Sequence, residues 1–162
     1  MSHDHGRVDG SIFGPGQPCF GCSPDHPIGF RLGFEREGAD AVVCRFTPGE
    51  RFQGPPGIMH GGLVATLADE VAAWVPIAVL GKFGFTVSFE ARYGGAVRIG
   101  EEIVARAKLV KPGTRLVDVD VALAQGGKEC FTGRFRFVLL NKAGAEKMLG
   151  RALPPEWERF AR

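Results

Sequence analysis

The hydrophobic pattern of this chain changes period once, near Gly81. Before that point lies PPGIMHGGLVATLADEVAAWVPIAVL, Pro55 to Leu80, apolar almost throughout and interrupted only by the acids Asp69 and Glu70. No Lys or Arg falls within the run to neutralise either one. Leu63, Leu67, Val71, Trp74 and Ala78 recur at helical spacing. Val64, Ala68, Val75 and Val79 form a second stripe, and Ala65, Thr66, Ala72 and Ala73 a third face of small residues. The pattern predicts a helix from Gly61 to Leu80, about 30 Å long at 1.5 Å per residue, with Pro76 kinking or restarting it near its end. A helix apolar on every side is either buried or crosses a membrane. Its uncharged part, Val71 to Gly81, is too short for a bilayer, which takes about 20 residues. The prediction is therefore a central helix wrapped by the rest of the chain.

After Gly81 the period becomes two. Phe83, Phe85, Val87 and Phe89 alternate with Gly84, Thr86, Ser88 and Glu90 in a strand ending near Tyr93. Three more strands are predicted at Glu102 to Val110, Leu116 to Ala124 and Glu129 to Leu140, joined by short Gly- and Pro-containing turns. Upstream, Ile28 to Glu35 and Ala41 to Thr47 alternate in the same way, and Pro48 to Gly57 is a loop. Four successive antiparallel strands after one buried helix indicate an α+β fold, an antiparallel sheet curled around a long central helix, and not a parallel βαβ unit. The tail from Asn141 carries several basic residues and ends in a short helix at Pro155 to Ala161. Met1 to Pro18 is polar and glycine-rich, a flexible N-terminal arm, which leaves residues 19–162 as a single domain.

Composition narrows the function by exclusion. At 162 residues the chain is large enough for a real core, and its net charge of +2 argues for neither nucleic acid nor a membrane surface as partner. MSHDHGRVDG has no apolar signal region. The four cysteines are therefore expected as free thiols in a reducing cytoplasm. His3 and His5, on a mobile terminus, do not make a metal site. Cys19 and Cys22 with His26 invite a zinc reading, but a structural site takes four ligands and no second pair follows. Pro24 and Pro27 argue against the helix that a redox pair would open. No metal is expected, and the pair reads as small cysteines of a buried turn.

The candidate chemistry sits on the central helix. A buried carboxylate with no local cation is costly, so Asp69 marks a site, with a pKa raised toward what a general base needs. His60-Gly61-Gly62 opens the helix, and a helix N-terminus offers unpaired N–H donors with a partial positive charge. Glycine there lets a substrate carbonyl approach the backbone closely. Asp69 lies eight residues past Gly61, about 12 Å along the axis, beyond the reach of one carboxylate. If both serve one reaction, they come from two chains packed antiparallel. Glu70 points about 100° away around the helix; it is expected as a structural partner and is the rival base.

CFGCSPDHPIGFRL followed by FQGPPGIMHGGLVATLADE resembles the hotdog-fold acyl-CoA thioesterases, specifically their PaaI-like branch. The likeness runs from about Cys19 to about Leu140, and its most specific element is HGGxxxxLxD opening a long apolar helix ahead of four strands. It implies a five- or six-stranded antiparallel sheet around the helix, a homodimer with sheets joined edge to edge, and often a homotetramer built of two dimers. It implies that Asp69 is the general base or the nucleophile. Gly61 would offer its N–H to the thioester carbonyl with Gly62 beside it, His60 would support the helix start, and Thr86 would position water and the carboxylate. An Asn or Gln side chain expected near the carbonyl falls strictly at Gly54, with Gln53 one residue earlier. The sequence also departs from the family pattern at Ser23, His26, Phe30 and near Gly95.

Phe83, Phe85 and Phe89 read first as core and second as walls of an acyl pocket. Lys111 and Arg115 flank a turn suited to coenzyme A phosphates, and equally read as solvated turn charges. The function expected from the resemblance is hydrolysis of an acyl-CoA thioester without a cofactor, coenzyme A entering as part of the substrate. Two other classes stay open: a non-catalytic acyl-CoA binding or sensing protein, and a hydratase or dehydratase. The last is poorly supplied, with only His60 and His26 outside the arm to pair with an acid.

Overall fold

The computed structural model describes residues 6–162. Its strands are β1 (Val8–Asp9), β2 (Gly33–Glu37), β3 (Ala41–Phe46), β4 (Gly84–Tyr93), β5 (Ile103–Lys111), β6 (Leu116–Gln125) and β7 (Lys128–Leu139). All pair antiparallel in one seven-stranded sheet of order β1-β2-β3-β5-β6-β7-β4. The expected five or six strands become seven because a two-residue strand pairs onto β2. The α+β hotdog architecture is as expected, one long helix cradled by a curled antiparallel sheet.

That helix, α1 (Gly61–Val75), turns Val64, Leu67, Val71 and Trp74 into the concave face of the sheet. Opposite them lie the inward residues of the strands: Val42 and Cys44, Ala105 and Ala107, Val117 and Val119, Phe135 and Phe137, all buried. Pro76 lacks the N–H that an α-helix interior needs, and from Pro76 to Leu80 the chain continues as a π-helical turn. Gly81, at φ 64°, ends it in the left-handed region where a side chain is strained. Gly61–Leu80 is long and apolar enough, by length and composition, to cross a membrane; here the sheet buries its apolar face.

Three expectations are corrected. The strand placed at Ile28 to Glu35 begins only at Gly33. Phe30 and Leu32 give their N–H groups to the carbonyls of Phe20 and Gly21, each at 2.9 Å. Arg31 sits at φ 54°, so this segment is tied to the CxxC turn and cannot extend. The arm is not loose in its described part: Asp9 caps a 3-10 turn (Gly10–Phe13). Phe13 is buried there, stacked on Trp157 at 4.0 Å. His3 lies outside the described residues, as does His5. The tail also contains a helix that hydropathy did not signal, α2 (Lys142–Leu149), capped by Asn141, whose side chain accepts the Gly144 N–H at 2.9 Å. The short helix at the end is a 3-10 segment, Pro155–Phe160.

Candidate active site

Asp69 projects from the middle of α1 toward β4. There Thr86 Oγ1 donates a 2.6 Å hydrogen bond to Asp69 Oδ1. Thr86 lies beside a register shift in the β4–β7 ladder, between Thr86 and Ser88. Such an irregularity re-aims a side chain that the regular pleat would turn elsewhere. Burial raises the Asp69 pKa above the ordinary carboxylate value, and the Thr86 hydrogen bond, which favours the anion, offsets part of that rise.

Both residues face a cleft of about 890 Å³ whose walls include Phe85, Arg151 and Trp157. That is the size range of small-ligand sites, and its lining is mostly apolar with a few convergent polar groups. Phe85 therefore serves as a cleft wall. Phe83, though buried, also lines the cleft, while Phe89 is half exposed and stacks on its cross-strand partner Phe135 at 4.8 Å.

The helix N-terminus resolves the glycine pair. His60 is the N-cap, and its Nδ1 accepts the Gly62 N–H at 3.0 Å. Leu63 and Val64 both donate to the His60 carbonyl. Of the donors in this first turn, only the Gly61 N–H has no partner among the described residues. Gly62, expected beside Gly61 at the carbonyl, is not a second donor, because its N–H is already engaged. Tyr93 Oη donates 2.7 Å to the Gly61 carbonyl from the far end of β4. Within one chain α1 runs unbroken from Gly61 to Asp69, so about 12 Å of helix separates the free donor from the carboxylate.

Other expected site residues lie elsewhere. Gln53 Oε1 accepts the Gly57 N–H at 2.7 Å and so closes its own exposed loop. Arg115 lines a separate depression with Lys82 and Arg162, and Lys111, at the end of β5, is exposed. Neither basic residue lines the Asp69 cleft of its own chain. Sequence reasoning missed Tyr93, Arg151 and Trp157. Only Tyr93 carried a signal, as the sole tyrosine of the chain, placed where the strand after the helix ends. Glu70, expected as a structural partner, accepts hydrogen bonds from Trp74 Nε1 at 3.2 Å and Cys19 Sγ at 3.6 Å.

A curled antiparallel sheet holding one central helix, with a carboxylate on that helix facing a cleft, defines the hotdog class. A family model described as thioesterase superfamily matches residues 56–131, which include α1, β4, β5 and β6. Mouse acyl-coenzyme A thioesterase 13 is 32% identical over 98 residues, covering 59% of this chain and 70% of that protein. Among solved structures, zebrafish thioesterase superfamily member 2 superposes with a TM-score of 0.64 at 29% identity, covering 72% of this chain and 89% of that one. The mouse thioesterase superfamily member 2 structure gives a TM-score of 0.60 at 28% identity, over 66% and 80% of the two chains. The chain belongs to the thioesterase superfamily.

Proposed function

We propose that this protein is an acyl-CoA thioesterase of the PaaI-like branch, with Asp69 as its catalytic carboxylate. The observation that carries the reading is the hydrogen bond from Thr86 to Asp69 at the wall of a mostly apolar cleft. One carboxylate oxygen is held by the hydroxyl, and the other is left to act on water. Asp69 takes a proton from that water as its oxygen bonds to the thioester carbon. The carbonyl oxygen becomes an oxyanion, which accepts the Gly61 N–H at the positive end of α1. Collapse breaks the C–S bond, and the proton held by Asp69 passes to the departing coenzyme A sulfur. An anhydride formed by attack of Asp69 itself gives the same products; labelled oxygen entering Asp69 in one turnover in labelled water distinguishes the two.

The site is completed by a second copy of the chain. β4 is an edge of the sheet, paired only with β7, and exposes Val87, Phe89 and Tyr93. A long edge with apolar side chains seeks another strand. Thr86, which holds Asp69, lies toward one end of β4, and Tyr93, which holds Gly61, ends the other. Two-fold antiparallel pairing of β4 with its own copy, centred between Phe89 and Glu90, sets each Asp69 against the partner's helix N-terminus. Pairing of two such dimers into a tetramer is compatible with this arrangement. All four cysteines are free thiols, which suits the cytoplasm.

The test is thiol release from a panel of acyl-CoAs of differing chain length and aromaticity, with wild type and Asp69→Ala compared. Loss of turnover in a folded, oligomeric Asp69→Ala supports the reading. Absence of turnover on every member with binding retained in both proteins would move the assignment to an acyl-CoA sensor. Water addition to an enoyl-CoA would move it to a hydratase.

A further inference from the structure

The CxxC pair gains a third partner only in three dimensions. Cys19 Sγ, Cys22 Sγ and a carboxylate oxygen of Glu70 all lie within 4.8 Å of one another. Cys19 Sγ is 3.6 Å from Glu70 Oε1. A tetrahedral zinc ion with Zn–S near 2.3 Å and Zn–O near 2.0 Å sets its sulfur and oxygen ligands about 3.5 Å apart, and two sulfurs about 3.8 Å apart. The thiol and the carboxylate already stand at that spacing.

Each of these atoms is also backed by an N–H donor. The Cys22 backbone N–H points at Cys19 Sγ (3.4 Å), Gln17 Nε2 at Cys22 Sγ (3.8 Å) and Trp74 Nε1 at Glu70 Oε1 (3.2 Å). Donors so placed favour thiolate and carboxylate, the forms that ligate a cation, and fix their orientation. Gly21 permits the approach, because a Cβ there would overlap the Glu70 carboxyl group. No ion pair among the described residues involves Glu70. His26 is not part of the cluster: its Nδ1 accepts the Gly29 N–H at 2.9 Å within its own loop.

We propose that Cys19, Cys22 and Glu70 bind a zinc-class divalent cation, with a fourth ligand drawn from the cleft side. Loading deprotonates both thiols, and the protons pass to solvent. The bound ion would clamp the CxxC turn to α1 one residue from Asp69, fixing the wall of the cleft. Three ligands are enough for such a site when the fourth comes from solvent or a bound molecule.

The test is titration of the reduced wild-type protein with cobalt(II). It is expected to give one site per chain, with thiolate-to-cobalt charge-transfer bands, the visible bands of tetrahedral cobalt, and loss of both on adding zinc. Cys19→Ser, Cys22→Ser and Glu70→Gln each lose those bands, whereas Cys44→Ser and Cys130→Ser keep them. Gln17→Ala, which leaves every ligand in place, weakens binding about 10-fold. Circular dichroism of each variant separates a lost site from a lost fold, and Cys19→Ser, at a half-buried turn position, is the variant that decides if Glu70→Gln does not fold. Absence of thiolate–cobalt bands in the reduced wild type overturns the proposal, as does their persistence in a Cys19→Ser/Cys22→Ser double variant. Spectroscopic binding is read without any turnover, so it stands or falls separately from thioester hydrolysis.

Discussion

Thr86 reaches from β4 to hold the carboxylate of Asp69 at 2.6 Å, although 17 residues separate them in the chain. The last residue of the same strand, Tyr93, holds the Gly61 carbonyl at 2.7 Å. One edge strand thus grips α1 both at the Asp69 carboxylate and at its N-terminal turn. Whatever pairs with the free side of β4 meets both.

The first consequence concerns rate. Thr86→Val removes one hydrogen bond to the carboxylate, worth about 1 to 1.5 kcal/mol, and so should lower kcat about 10-fold. Thr86→Ser keeps the hydroxyl and should stay near wild type. Asp69→Ala removes the proposed proton acceptor and should cost about 100- to 10,000-fold in kcat. Steady-state thiol release measures all three. A Thr86→Val enzyme as slow as Asp69→Ala would give the hydroxyl a larger part than positioning.

The shared site can be tested by mixing. Gly61→Pro deletes the one free N–H at the first helical position, where proline is well tolerated. It should keep the fold and lose about 100- to 1000-fold in rate. Refolding Gly61→Pro together with Asp69→Ala in equal amounts gives mixed dimers, each with one intact Asp69–Gly61 pair across the interface. Activity should return to about a quarter of wild type if mixing is statistical. No recovery in verified mixed dimers would place both groups within one chain.

Val87→Lys puts a charge on the free edge strand, where Val87 is 53% exposed. It should yield a folded monomer by sedimentation, with thiol release lost although Asp69, Thr86 and the cleft remain. Full activity in a proven monomer would reject the dimeric site.

On the outer face of the sheet, Arg136 donates to both carboxylate oxygens of Asp118, its cross-strand partner, at 2.7 and 2.9 Å. This hydrogen-bonded pairing holds the Asp118 carboxyl below its ordinary pKa. A group depressed in the folded state adds stability above its unfolded pKa, and the gain fades as pH falls through the folded value. Asp118→Asn should therefore be less stable than wild type at pH 7, by less than about 1 kcal/mol because Arg136 is solvent-exposed. The gap in melting temperature should close below about pH 4 and shrink with salt. A gap that widened on acidification would contradict the pairing.

Much of this architecture was legible from periodicity. The switch from a 3.6-residue to a two-residue period placed the start of α1 and the four strands after it within a residue or two of their observed bounds, while the helix end expected at Leu80 is reached only through the π-helical turn that follows Val75. Hydrophobic faces must be buried, so the pattern carries that information locally. Ile28 to Leu32 misled because its alternation is real, yet its N–H groups are taken by Phe20 and Gly21 across the loop. A tertiary hydrogen bond overrode a local preference there. Phe13 and the turn before it looked polar and loose because a single aromatic has no period, and its place comes from Trp74 on α1 and from Trp157 and Phe160 at the other end of the chain.

The sequence by itself determined the central helix, the strands that wrap it, and the isolation of Asp69 among apolar residues, because these follow from the order of hydrophobic and charged side chains. It also marked His60 and the glycines as a helix start, since capping chemistry is local. Tertiary structure alone decided that His60 takes the Gly62 N–H and leaves Gly61 free, that Tyr93 and Thr86 grip α1 from one strand, and that Glu70 joins Cys19 and Cys22. The last two depend on distances between segments far apart in the chain, of which spacing along a sequence holds no record, and the first on the rotamer that His60 adopts once the fold sets its backbone.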